Sequence, residues 1–406
     1  MSDGLNSGRS ALILAGNLVD GSGGAVQRRV LLTVDNGVIA AIDAGAEVPV
    51  GASNFVDLSH CTIVPPLVDC SVVLARSPSL GLMKDQRHLA NGAELEALLA
   101  RHLYDCHSHG VLGVADGGYS AGLVAARRKP MADDDLVAIR TAGSDLADGL
   151  EVVPDPAATR DFLKIHYSSD IENDATPDAL AGRLRLDDLV RHIRYKGELK
   201  AVVVANGAEA VAAALAAGCD AVEQGYDMGE ENLRRLAARK VLWIPSLLRA
   251  KNALDGARGG GDVCCRFSQR YVAPGKPLPG GEELWRRVLG GQLLQLRRAR
   301  ELGVQVAIGT GAGRTGILHG EAVVEEMKLF AKAGFPLPET IRCASVNGAE
   351  FFGLDHLGQL VPGRPATFLI SRGSAGQLPR KLSYLENIFI NGAASKSYQK
   401  NPLKPG

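Results

Sequence analysis

Lys164-Ile165-His166 sets an amine and an imidazole two residues apart, which on an extended strand places both on one side. A buried lysine amine can form a Schiff base with a carbonyl substrate, or it can sit in an ion pair with a carboxylate such as Asp116 or Glu223. His166 could act as an acid or base, or be a polar residue at a strand rim. His319, followed by Gly320, could contact a substrate or open a helix. Arg314 follows a Gly-rich turn and could clamp a carboxylate or phosphate through two hydrogen bonds, or lie on the surface. Cys70 is turned away from Ser71 by strand alternation and reads as a core thiol. His107-Ser108-His109 has His-x-His spacing, but it precedes a strand, so an exposed pair at the opposite face is expected.

These residues need a scaffold, and the patterning supplies one. Eight short apolar runs alternate with helical patterns: Ile63 to Val73, Gly110 to Asp116, Leu136 to Thr141, Phe162 to His166, Ala201 to Asn206, Ala221 to Gln224, Leu242 to Pro245 and Val304 to Thr310. Such alternation marks parallel βα units. One helix carries an apolar stripe at Leu95, Leu98, Leu99, Leu103 and Cys106, and another covers Ala208 to Ala217 with Gly218 as its cap. The predicted fold class is α/β: a (β/α)8 TIM-like barrel with a small β-sandwich domain formed from both chain termini. In the first sixty residues, Ala11 to Val19, Val30 to Val34 and Val38 to Ile42 read as strands, with Asn36-Gly37 as a hairpin turn. Ala366 to Ile370 and Leu385 to Ile390 complete the small domain. The predicted division is 1–62, 63–355 and 356–406, with the barrel in the middle. Gly256 to Gly281 reads as a long loop after strand seven, a lid or a disordered segment.

Composition excludes some partners. Lys plus Arg and Asp plus Glu both number 45 among 406 residues, so the chain offers no bulk field for nucleic acid or an anionic membrane. The basic stretch Arg286 to Arg300 reads as a solvated helix face. Seven scattered cysteines, with Cys264 and Cys265 adjacent in a Gly-rich loop, suit reduced thiols rather than a disulfide framework or a zinc site. With no apolar leader core in Met1 to Ser10 and no long apolar run, a cytoplasmic protein is expected.

Several pieces, in order, resemble the amidohydrolase superfamily, most nearly its imidazolonepropionase and Xaa-Arg dipeptidase, prolidase-like branch. They are Ile63-Val64-Pro65-Pro66-Leu67-Val68-Asp69, Gly110 to Asp116, Asp161-Phe162-Leu163-Lys164-Ile165, Ala221-Val222-Glu223-Gln224-Gly225, Ile308 to Gly313, and Leu360 to Thr367. The resemblance implies a metal-dependent hydrolase acting on carbon–nitrogen bonds. Its metal-ligand positions fall on Ser71, Val73, Lys164, Asn206, Gln224 and Gly311, and of these only Lys164 keeps the family's residue. Zinc needs about three protein ligands from His, Asp, Glu or Cys. Val73 and Gly311 have no donor, Ser71 is a poor one, and Asn206 and Gln224 offer neutral oxygens that suit zinc badly.

The reading is therefore a degenerate homologue with no metal or other cofactor expected. Its barrel mouth, lined by Ser71, Lys164, Asn206, Gln224, Thr310 and Arg314, would bind a small polar or anionic molecule or a partner. Two alternatives stay open: an active hydrolase with a non-standard zinc or other divalent site using His166 or His319, and metal-free lysine chemistry at Lys164. A homo-oligomer is compatible with either.

Overall fold

The computed structural model describes residues 11–52, 54–78, 92–118, 137–142, 160–168, 184–257, 281–314 and 316–398. Met1 to Ser10, Leu136, and the span 258–280 with Cys264 and Cys265 lie outside them, so the leader, lid and paired-cysteine readings fall outside the described residues. The strands in chain order are β1 (Ala11–Leu18), β2 (Gln27–Asp35), β3 (Val38–Ala44), β4 (Phe55–Val64), β5 (Leu67–Val72), β6 (Val111–Asp116) and β7 (Ala138–Thr141). There follow β8 (Phe162–His166), β9 (Lys200–Ala205), β10 (Ala221–Gln224), β11 (Leu242–Ile244), β12 (Phe368–Arg372), β13 (Leu385–Ile390) and β14 (Ala393–Ala394).

Both chain ends meet in one seven-stranded sheet, in the order β14-β13-β12-β4-β1-β2-β3. Its tight turns follow from local chemistry. Asn36 and Gly37 join β2 to β3 at φ +48° and +79°, and Asn391 and Gly392 join β13 to β14 at +49° and +80°. Two successive left-handed residues give a turn whose twist matches that of the strands, and Asn-Gly adopts it most cheaply. The sheet folds over so that Val38 bridges to Pro365, closing a core of Ile13, Leu32, Ile39, Phe368, Ile370 and Phe389. The run Ile63 to Val73 is two strands rather than one: Ile63 and Val64 pair with Ile370 and Leu369 of β12, and Pro65-Pro66, lacking N–H donors, separates them from β5.

The remaining strands form two parallel sheets, β5-β6-β7 and β8-β9-β10-β11. Residues 201–205 of β9 are buried throughout, the pattern of a strand covered on both faces. The two sheets are linked at each side. Asp161 N donates to Thr141 O (2.8 Å) between β7 and β8. On the other side, Trp243 N donates to Gln305 O (2.9 Å) and Ala307 N to Trp243 O (2.9 Å), while Cys70 N donates to Ile308 O (2.9 Å) and Gly311 N to Ser71 O (2.8 Å). The segment expected as strand eight, Val304 to Thr310, holds this place with isolated bridges instead of a regular ladder. Two causes are local: Asp69 Oδ1 takes the Thr310 N–H (2.9 Å), and Gly311 and Gly313 turn at φ +74° and +92°. The result is a TIM-barrel-like fold with a β-rich domain beside it.

Helices follow the strands as expected. Ala208–Ala217 ends at Gly218 with φ +91°. The helix Gly281–Glu301 carries the basic stretch as a solvated face, with Arg286 on Glu282, Arg298 on Glu230 and Glu301, and Arg300 on Glu339. His107-Ser108-His109 departs from the expected exposed pair. His107 is buried at the end of the helix Gly92–Ser108, 3.2 Å from Ser395 Oγ, and His109 Nδ1 is 2.8 Å from Asp105 O. The terminal sheet packs over this face, with Leu369 and Leu385 against Gly110, and so covers it. The five described cysteines are free and buried. No helix among the described residues is long and apolar enough to cross a membrane.

Candidate functional site

Three strands send polar side chains into the barrel interior. Lys164 of β8 places Nζ 2.7 Å from Glu223 Oε2 of β10, and Ser71 Oγ of β5 donates to Glu223 Oε1 at 2.8 Å. All three residues are buried, with Lys164 at 6% and Glu223 at 3% exposure. Burial alone would raise the Glu223 carboxyl. The Lys164 charge, hydrogen bonds from Lys164 and Ser71, and the nearby charge of His166 overcome it and hold the group below the ordinary glutamate range. A single buried charge would be intolerable here, whereas a paired and hydrogen-bonded one is tolerated. Lys164 lies across Gly117, where a Cβ would come within 3.0 Å of Nζ.

The other expected pocket residues are occupied with one another. Asn206 Nδ2 donates to Gln224 Oε1 (2.7 Å), and Tyr226 N donates to Asn206 Oδ1 (2.9 Å). Gln224 holds φ +69°, unusual for a residue with a Cβ, and its carbonyl accepts from Trp243 Nε1 at 3.0 Å. Thr310 turns from the mouth to Asp69, its Oγ1 donating to Oδ2 at 2.6 Å. Asp69 thereby ties β5 to the strand-eight segment. Burial, opposed by the Thr310 and Ser71 bonds and reinforced by the Glu223 charge, pushes its carboxyl to about 7. Asp116 has a similar structural role, accepting from Leu74 N (2.8 Å) and Gly118 N (3.1 Å). Cys70 Sγ faces Gly348 on the outer helix Val346–Phe351, as alternation requires.

His166 stays half-buried at the end of β8, close enough to act on Glu223. His319 is in a different setting. It is buried and stacks on His102 with ring centroids 3.9 Å apart, and its Nε2 lies 3.1 Å from Val73 O. His102 Nδ1 lies 2.7 Å from Leu74 O. Burial, with His102 alongside, holds His319 well below the ordinary range.

Two groups escaped the sequence reading as site residues. Glu223 entered only as a partner for Lys164, yet it is the hub of the interior network. Arg249, from the helix Leu247–Ala257, is only 2% exposed, and its aliphatic stem packs beside Gly311. A Cβ at Gly311 would meet Arg249 Cδ at 3.2 Å and Arg314 Cδ at 3.7 Å. No spacing signals Arg249, because its burial comes from a helix packing over the mouth. Glu326 orients that helix, its two oxygens accepting from Leu247 N (2.8 Å) and Leu248 N (2.6 Å). The Gly311→Asp variant, which returns a carboxylate to the strand-eight position, is therefore expected to fold but to lose about 1–2 kcal/mol from left-handed strain and crowding. A melting temperature equal to or above wild type would contradict this.

The donor set does not fit a family metal centre. Ser71 gives its proton to Glu223, both amide oxygens at Asn206 and Gln224 accept protein hydrogen bonds, and Lys164 brings a positive charge to the same place. Val73 and Gly311 carry no donor side chain.

Parallel strands joined by helices, with polar side chains gathered at the strand ends, define a TIM-barrel-like scaffold. The sequence model of the Amidohydrolase family matches residues 192–393, just under half of the chain, so the chain resembles that family over this part, and prolidase-like proteins are among its structural neighbours. Similar solved structures include a Xaa-Pro dipeptidase with methionine bound in its active site (TM-score 0.76, 20% identity, 95% of this chain and 99% of that one). A. niger ochratoxinase is also similar (TM-score 0.74, 16% identity, 96% of each chain), as is phenylurea hydrolase B (TM-score 0.70, 16% identity, 98% of this chain and 99% of that one). At these identities the likeness is one of fold. No curated protein matches the chain in sequence.

Proposed function

We propose that this protein is a degenerate amidohydrolase homologue that lacks the family's metal-dependent hydrolysis and binds a small polar or anionic molecule at the barrel mouth. The observation that carries the reading is the Lys164–Glu223–Ser71 network. It uses the one retained ligand-position side chain, Lys164, for an internal ion pair, and it leaves the neighbouring oxygens satisfied. On this reading the two linked sheets are a closed eight-unit barrel spanning 63–355, with the terminal segments 1–62 and 356–406 as its companion domain.

Retention of a binding mouth is supported by backbone strain at the strand ends. Gln224, Asp227 and Ser246 hold φ of +69°, +50° and +49°, and such strain persists where the surroundings enforce it, commonly at ligand sites. Among the described residues, Ser246 Oγ and His319 Nδ1 are also buried without a hydrogen-bond partner. Such groups commonly await a ligand or water.

The test is metal content of protein purified without chelator, measured by plasma mass spectrometry before and after incubation with zinc or manganese. Well below one metal per chain in both states is the expected result. Stoichiometric metal, lost on chelation, would overturn the reading and restore hydrolysis of carbon–nitrogen bonds as the function.

A further inference from the structure

A second concavity lies at the opposite end of the barrel, where the strands begin. Lys200 opens β9, Asp220 immediately precedes β10, Leu242 opens β11, and Gln305 lies at the start of the strand-eight segment. Together with Arg239, Lys240 and Phe351 they line a cavity of about 360 Å³, within the range of small-molecule sites.

Its lining sets Lys200, Arg239 and Lys240 against Asp220 and Glu350, a small positive excess. Asp220 is already engaged: Lys196 pairs with it, Ala201 N donates to it at 2.7 Å, and Lys200 Nζ lies 4.0 Å away. Arg239 gives its Nη1 to Leu215 O (2.7 Å), the ordinary use of a cation at a helix end. Lys240 is different. Among the described residues no carboxylate lies within ion-pair reach of it, and it ends the helix Gly229–Arg239 in a left-handed conformation, φ +54°. Glycine takes that place at least cost, so a lysine there maintains strain at the rim of a cavity. Val241, Leu242 and the ring of Phe351 add apolar side chains to an otherwise polar lining, with Lys200 Nζ 6.0 Å from that ring's centroid.

We propose that this basin is a ligand site, separate from the barrel mouth, for a small anion that carries an aromatic ring. Lys200 and Lys240 would take the anion, while Phe351 and Leu242 receive the ring. A bare inorganic anion would leave Phe351 and Leu242 uncovered, and a neutral ring would leave the lysines unmatched.

Calorimetric titration of the full chain with phenyl phosphate tests this, with inorganic phosphate and benzyl alcohol as the anion-only and ring-only probes. One phenyl phosphate is expected to bind per chain, with both comparison probes roughly tenfold weaker or worse, the loss of one good contact. Lys200→Ala and Lys240→Gly are each expected to loosen phenyl phosphate by about tenfold. Lys240→Gly should do so without lowering the melting temperature, since glycine relieves the left-handed strain. Arg314→Ala, at the other end of the barrel, should leave the affinity unchanged. The proposal is overturned by absence of phenyl phosphate binding at millimolar concentration, by equal binding of either comparison probe, by unchanged affinity in the two lysine variants, or by loss of binding in Arg314→Ala. None of these outcomes depends on metal content, so this site and the reading of the mouth stand or fall separately.

Discussion

Replacing Lys164 by methionine is expected to destabilise the protein by about 3–5 kcal/mol, as breaking a buried ion pair does when one charge is left behind. Among the described residues the Glu223 carboxylate would keep only the Ser71 hydroxyl as a hydrogen-bond partner, in an interior where Lys164 now supplies most of its compensation. Glu223→Leu should cost a comparable amount, because it strands the lysine ammonium instead. The double variant Lys164→Met with Glu223→Leu should recover most of the loss, since an apolar pair of similar volume avoids the desolvation of both charges. Urea midpoints for the four proteins check the cycle. Additive losses would mean that the two side chains do not support one another. A Lys164→Met protein as stable as wild type would remove the ion pair as the organising feature of the site and, with it, the main support for the degenerate reading. Intact mass provides an independent check, because a carboxylated Lys164 could not form this ammonium–carboxylate pair.

Acid is expected to weaken the fold by about 3 kcal/mol through His102 as the pH falls from 6.5 toward 4. Burial lowers this imidazole from 6.5 to about 4, against the opposing bond to Leu74 O. The folded chain therefore refuses a proton that the unfolded chain accepts below 6.5, and stability drains away across that window before levelling off near 4. His319, also depressed, acts in the same direction. His102→Phe keeps an aromatic ring against His319 and removes the titration at position 102. At pH 7 the variant should be less stable than wild type, having lost the bond to Leu74 O. Toward pH 4 the difference should shrink or reverse. Asp69 and Asp116, whose carboxyls are raised by burial, stabilise in the opposite sense as pH falls, but they are common to both proteins and cancel in the comparison. Parallel stability–pH curves for the two proteins would refute the assignment.

What the sequence determined by itself is the local and the repetitive. Asn36-Gly37 and Asn391-Gly392 are turns because few residues accept left-handed φ, and the alternating apolar runs commit the chain to parallel strands covered by helices. That Val73 and Gly311 bring no side-chain donor was legible too, in any fold. The tertiary structure alone decided what fills the interior. Whether Lys164 would be a nucleophile or an ion-pair partner depended on Glu223 and Ser71, which lie 59 and 93 residues away in the chain and reach it only because their strands converge. Thr310, read as lining the mouth, is turned by Asp69, and Arg249 is carried over Gly311 by a helix whose start Glu326 holds. Strand eight, apolar enough to be a regular ladder, is interrupted because a side-chain carboxylate takes one of its backbone donors. Pattern can count strands, but hydrogen bonds between side chains far apart in sequence are settled only when the chain closes on itself.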